Sequence, residues 1–280
     1  MRFRSWSLKV CGLAYEEIDV SADKNGSMIS FELVPRDSAT LTAELELIKN
    51  RFPEVDLINI PDLPRFDKRS WEGCAVARQY FSVAIPHIRA RDCDPQRPLA
   101  MAGFLRDHGI GQVLVVTGDT HPDPFFPQFN VRAVDVIRKF RVEMPEVKVY
   151  AAIDPYRSGF QGEMAYVREK MNAGAAGFFT QPFFDLRLME VYGELLHGME
   201  IFWGVSPVTT VQSQGYWEKR NLAIFPRAFK PTEEWNLDFA HKAVTFAKRH
   251  GQHVYFMPIN LDLPSYLNGL FPKVTEGIIG

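Results

Sequence analysis

Eight short, nearly continuous apolar runs alternate with helical patterns along this 280-residue chain, and that rhythm limits the fold more than any other feature. The runs are MISFELV (28–34), VDLINI (55–60), VAIPHIRA (83–90), QVLVVTG (112–118), VKVYAAI (147–153), AGFFTQ (176–181), EIFWGVS (200–206) and HVYFMPI (253–259). Runs rich in Val, Ile, Phe and Tyr, with little polar alternation, read as parallel strands buried on both faces. Between them, Leu41, Leu45, Ile48 and Phe52 recur at helical spacing after Ser38, the expected N-cap. Met164, Val167 and Met171 do the same before NAGAAG. A last helix opens at Thr232-Glu233-Glu234, carries Phe239, Ala243 and Phe246, and stops at Lys248 to Gly251. Eight such units predict an α/β protein, a (β/α)8 barrel in a single domain over 28–280. Residues 1–27 form an N-terminal extension with no functional reading. The rival, a doubly wound sheet, seldom needs eight strands in a chain this short.

Composition narrows the function classes. Hydrophobic residues make up 46% and charged residues 24%, and the formal net charge is -2, so no basic field exists to hold nucleic acid. Three scattered cysteines, Cys11, Cys74 and Cys93, argue against a disulfide framework and for a reducing compartment. No run reaches membrane-spanning length, and the patch around Val10 to Ala14 meets Glu16 and Glu17 too early for a secretory leader. The expectation is a cytoplasmic protein.

A barrel carries its chemistry at the C-terminal ends of its strands, so polar residues there are the candidates. Side chains alternate along a strand. Ser30 and Glu32 share one face of the first strand. His87, Arg89 and Arg91 share one face of the third. Val113, Val115, Thr117 and Asp119 share one on the fourth, and Gln181 ends the face carrying Phe179. Singly, each has a bland alternative: a solvated strand-end carboxylate for Glu32 or Asp119, a satisfied core histidine for His87, a loop amide for Gln181. Together they mark a rim. Loops 61–70, 118–130 and 154–160 add Arg65, Lys68, Arg69 and Arg157 with Phe66, Phe125, Phe126 and Tyr156. That mixture suits a flat, phosphate-bearing ligand, and an ordinary charged surface is the alternative. No dinucleotide fingerprint, P-loop, zinc spacing or nucleophile elbow occurs, which points to cofactor chemistry.

ISFELVP, IPHIRARD, QVLVVTGD, NAGAAGFFTQPFFD and WGVSPVTT follow one another in an order that resembles the methylenetetrahydrofolate reductases, from about Ile29 to the end of the barrel. The resemblance implies a barrel that binds FAD at its C-terminal face. It implies hydride transfer from NADH or NADPH through the flavin to 5,10-methylenetetrahydrofolate, giving 5-methyltetrahydrofolate in one-carbon metabolism and methionine biosynthesis, in a homo-oligomer. Glu32 matches the family's general acid. Asp119 matches the aspartate near pterin and flavin, and Gln181 matches the glutamine on the pterin, with Phe183 among the aromatics that cover the ring. His87 matches a histidine near the flavin, and Lys170 a lysine on its ADP portion. Arg89, Thr117, Gly118, Asp154, Tyr156 and Arg157 complete the implied cofactor set.

The chain departs from the family pattern at several cofactor positions. Pro61-Asp62-Leu63 stands where the family has Thr-Tyr-Gly, Thr117 replaces an arginine, Asp154-Pro155-Tyr156-Arg157 replaces a motif with a histidine between two Pro-Glu pairs, and Val211 replaces a phenylalanine. FAD then binds through other contacts, with Arg89, Arg157 or the 61–70 loop on its phosphates, or a nicotinamide reduces the folate directly. Two further alternatives are a pterin-binding methyltransferase barrel using methyltetrahydrofolate and a non-catalytic binding subunit.

Overall fold

The computed structural model describes residues 26–259 and 261–272; the N-terminal extension expected over 1–27 falls outside the described residues except for its last two. Eight strands form a closed barrel in chain order, each parallel to its neighbours. They are β1 (Ile29–Glu32), β2 (Leu57–Ile60), β3 (Ala84–Arg89) and β4 (Gln112–Val116), then β5 (Lys148–Ile153), β6 (Gly177–Thr180), β7 (Ile201–Val205) and β8 (His253–Phe256). The first six strands are followed in turn by α1 (Ser38–Arg51), α2 (Ser70–Ala77), α3 (Ala102–Asp107), α4 (Ala133–Glu143), α5 (Phe160–Ala173) and α6 (Leu186–Leu195). Two helices, α7 (Val211–Asn221) and α8 (Glu233–Arg249), follow β7, and α9 (Leu263–Leu270) follows β8. The eight-stranded barrel read from the sequence is the fold.

Alternation divides the apolar residues into two cores. The outer one, between strands and helices, takes Phe31, Ile58, Ile88, Val113, Val115, Phe178 and Trp203. The inner one is Leu57, Ile85, Leu114, Tyr150, Phe179, Phe202, Tyr255 and Met257. Inside the barrel, Phe179 and Phe202 stack with centroids 4.1 Å apart and planes at 4°. Tyr150 and Tyr255 each meet Phe179 edge-on at 5.2 Å. Such pairs add about 0.5–1.5 kcal/mol each beyond the burial of their area. The result is an aromatic floor beneath the C-terminal mouth. Gly204 lets β6 and β7 close at this level, since a Cβ there would collide with the Thr180 carbonyl oxygen.

Local expectations are corrected at three points. Asp37, not Ser38, caps α1, accepting from the Thr40 N–H at 2.8 Å. Met171 is exposed on α5 and takes no part in its packing face. On β4 the inward face is Leu114 with Val116, and Val113 and Val115 point to the helices. A run of consecutive valines and leucines carries no polar contrast, so its parity cannot be read from side-chain type.

Candidate active site

The site starts from β1, which delivers Glu32 to the mouth on the inward face that also holds Ser30. Parallel pairing brings Tyr255 of β8 opposite Ser30 and Asn59 of β2 opposite Glu32. The Tyr255 hydroxyl donates a short hydrogen bond to Glu32 Oε2. From β3, His87 sets its Nε2 at 4.0 Å from the same oxygen. Asn59 Nδ2 lies 3.3 Å from His87 Nε2, and the Ser30 hydroxyl donates to Asn59 Oδ1 at 2.7 Å. Four strands thus meet on one carboxyl group.

Among the described residues no permanent counter-charge pairs with that carboxyl. Burial pushes the Glu32 carboxyl up to about 7, with the Tyr255 hydrogen bond opposing the rise. Burial alone lowers His87 to about 3, so its imidazole is neutral at physiological pH. Glu32 is therefore an acid with its proton available near neutrality, beside an uncharged base. That is the condition a general acid needs.

The remaining rim residues fall into separate groups. Gln181 follows β6, half-buried, with its backbone N–H on the Ile153 carbonyl. Asp119 lies exposed beyond β4, past a turn at Gly118 whose φ of 81° favours glycine. A Cβ at Gly118 would stand 2.8 Å from Arg89 Nε. Arg89 is 3% exposed, donates to the Asp119 carbonyl oxygen at 2.5 Å and pairs with Asp92 at 3.5 Å. Thr117 is exposed on the outward parity of β4. After β5, Arg157 pairs with Asp154 at 2.8 Å, and the Tyr156 hydroxyl donates to the Pro182 carbonyl at 2.7 Å.

Two expected ligand contacts are corrected. Phe183 is fully buried in the outer core, edge-on to Tyr192 and Trp203, so its ring has no face free to cover a pterin. Lys170, 4% exposed, places its ammonium 2.6 Å from the Ala152 carbonyl, 3.8 Å from Glu163 and 3.9 Å from the Tyr166 ring centroid. Burial lowers it to about 8. Its role in this structure is to tie α5 to β5. Conversely, Tyr255 and Asn59 belong to the site although no motif singles them out. The available signal was an asparagine inside the apolar run LINI and a tyrosine on the last strand.

The family model for methylenetetrahydrofolate reductase matches residues 18–234. The chain belongs to the methylenetetrahydrofolate reductase family. The 5,10-methylenetetrahydrofolate reductase of Escherichia coli (strain K12) is 24% identical over 147 residues, which is 50% of this chain and 50% of that enzyme. The matched part thus spans about half the length of that relative. Among solved structures, a Clostridium thermocellum protein described as binding two copies of 5-methyl-5,6,7,8-tetrahydrofolic acid aligns with a TM-score of 0.59 at 12% identity, covering 87% of this chain and 94% of that one. A 2,3-dimethylmalate lyase aligns with a TM-score of 0.55 at 11% identity, over 85% and 77% of the two chains. At such identities these likenesses show a shared barrel only.

FAD is the group that the resemblance implies for this reductase-family barrel. The side chains matched to it one by one do not assemble into a phosphate-holding set, which leaves Arg65 and Lys68 of the 61–70 loop as the assigned cations without an ion pair among the described residues. Lys170 and Arg89 are buried and engaged within the protein, and His87 is neutral. Of the cations matched one by one, Arg157 has the most exposed side chain, and Asp154 already pairs with it. A diphosphate needs cations or backbone donors free to face it. Among the described residues no cluster of His, Cys, Asp and Glu could hold a metal ion, and no helix is long and apolar enough to cross a membrane.

Proposed function

We propose that this chain reduces 5,10-methylenetetrahydrofolate to 5-methyltetrahydrofolate, with NADH or NADPH as the source of hydride. The observation that carries the reading is Glu32, a buried carboxyl that keeps its proton near neutral pH at the mouth of a reductase-family barrel. Glu32 gives that proton to N10 of the folate as the N10–methylene bond breaks. The methylene carbon is left as an N5 iminium cation, and hydride adds to it to form the methyl group. Glu32, now a carboxylate, takes a proton back from solvent, and NAD(P)⁺ leaves. Asp119, exposed beyond β4, supplies negative charge for the cation, and the Gln181 amide pairs with the donor and acceptor edge of the pterin. A barrel that only binds folate has no use for a buried acid. The methyltetrahydrofolate bound by the Clostridium thermocellum protein supports the ligand class.

Of the FAD anchors, Arg89 and Lys170 are engaged within the protein, while Arg65 and Lys68 of the 61–70 loop form no ion pair among the described residues. An anaerobic experiment tests the reaction by both routes. Protein reconstituted with FAD and passed through a desalting column is mixed with 5-methyltetrahydrofolate, and flavin absorbance is followed. Flavin-free protein is mixed with methylenetetrahydrofolate and NADH or NADPH, and nicotinamide absorbance is followed. Bleaching in the first mixture, or folate-dependent nicotinamide oxidation in the second, supports the reductase. No hydride exchange by either route overturns it. We also propose a homo-oligomer, supported by exposed Val191 and Leu195 on α6 and Phe160 on the neighbouring α5. A monomer mass by light scattering at micromolar protein overturns that part.

A further inference from the structure

Burial leaves the imidazole of His87 neutral, and two residues on neighbouring strands bear on which of its ring nitrogens carries the proton beside Glu32. Asn59 is fully buried on β2. Its two amide ends are both committed: Oδ1 accepts from the Ser30 hydroxyl at 2.7 Å, and Nδ2 lies 3.3 Å from His87 Nε2. An amide nitrogen only donates, so the ring atom facing it must accept. His87 Nε2 then carries a lone pair, and the ring proton sits on Nδ1. The same Nε2 stands 4.0 Å from Glu32 Oε2. A lone pair facing a carboxylate repels it, whereas an imidazolium there would attract it and draw off the proton.

We propose that Asn59, held by Ser30, is a positioning residue that fixes His87 as the neutral Nδ1–H tautomer and thereby keeps the Glu32 carboxyl protonated until substrate takes the proton. The catalytic meaning of this arrangement rests on the reductase reading; the proton arrangement itself does not. The groups around the pair come from every packed strand. β1 brings Ser30 and Glu32, β2 brings Asn59, and β8 brings Tyr255, which donates to Glu32 and lies 6.4 Å from the His87 ring centroid. On β3, Arg89 follows two residues later, with its guanidinium turned to Asp119 and Asp92. The ring therefore has Glu32 as its one ionisable acid neighbour within ion-pair distance among the described residues.

Nitrogen NMR on protein labelled with ¹⁵N-histidine reads the tautomer directly, with His87→Gln used to assign the signal. The expected result is a pyridine-type Nε2 and a pyrrole-type Nδ1 across about pH 5 to 8, the range in which an ordinary histidine titrates. A protonated Nε2 in that range overturns the proposal. Asn59→Asp replaces the donor by an acceptor and should turn His87 into an imidazolium. The Nε2 signal of His87 should then become pyrrole-type in the nitrogen spectrum, since the new carboxylate accepts from it. A pyridine-type Nε2 that persists in folded Asn59→Asp protein also overturns it. Should that variant fail to fold, the wild-type tautomer decides alone. Loss of the reductase reading would appear as absent hydride exchange with these spectra unaltered, so the two failures are distinct.

Discussion

The two ends of the barrel interior use the same three residue types in different ways. At the C-terminal mouth, Glu32 meets His87 and Tyr255. At the N-terminal end, Glu200 meets His253 at 3.7 Å and accepts from the Tyr150 hydroxyl at 2.8 Å. The lower set adds Lys148, whose ammonium lies 2.7 Å from Glu200. Its position opposite the carboxylate at the mouth is taken by neutral Asn59 and His87. The lower carboxylate is also wetter, with 26% of its side chain exposed against 13% for Glu32. One glutamate closes the bottom of the barrel as half of an ion pair. The other is buried beside neutral groups, and burial strengthens its hold on a proton. The difference teaches that burial and the surrounding charges, not the residue type, set how tightly a carboxyl holds its proton.

Breaking the upper set should cost most. Glu32→Gln removes the proton donor and should lower methylenetetrahydrofolate reduction by about 100- to 10,000-fold, the range of general acid catalysis. A full rate in a steady-state assay would sink the role. The same substitution should sharpen the comparison in stability. A carboxyl raised from 4.5 to about 7 binds its proton more tightly when folded. Folding therefore carries no penalty from it below about pH 4.5, a growing one between the two values, and about 3 kcal/mol above pH 7. Glu32→Gln should accordingly melt higher than wild type at pH 8 and lose that advantage near pH 4.5, as followed by circular dichroism. Wild-type activity should fall as pH rises through about 7, where the acid ionises.

Smaller effects separate the two ends further. Tyr255→Phe removes the hydrogen bond that opposes the rise at Glu32. The alkaline limb of the rate profile should move to higher pH, with a loss of about 1 kcal/mol in stability from the missing bond. A limb that stays in place would assign Tyr255 to packing alone. Lys148→Met at the lower end should cost at most about 1 kcal/mol, because the lysine side chain is 40% exposed and water already screens the pair. Reduction of folate should be unchanged in that variant, and a large loss of rate would erase the distinction between the ends.

The strands were legible because parallel strands covered on both faces are written as unbroken apolar runs. Helix α8 was legible from Thr232 and the paired glutamates that follow it. Helix α7 was not, since VQSQGYWEKRN buries only Trp217 and so shows no apolar stripe. Glu32, His87, Arg89 and Gln181 could be picked out as polar residues at strand ends. The tie between Glu32 and Tyr255 could not, because 223 residues separate them and only the closing of β8 on β1 makes them neighbours. The burial of Lys170 and Phe183 was hidden for a related reason. Side-chain type shows what a residue can bind, and the packing of α5 and β6 decides which partner takes it.

That closing seam has a consequence for synthesis. Glu32 leaves the ribosome 223 residues ahead of Tyr255. A growing chain that lacks β8 can neither shut the barrel nor complete the surroundings of its acid. The environment that buries Glu32 is thus absent from unfinished polypeptide and is assembled only when β8 docks.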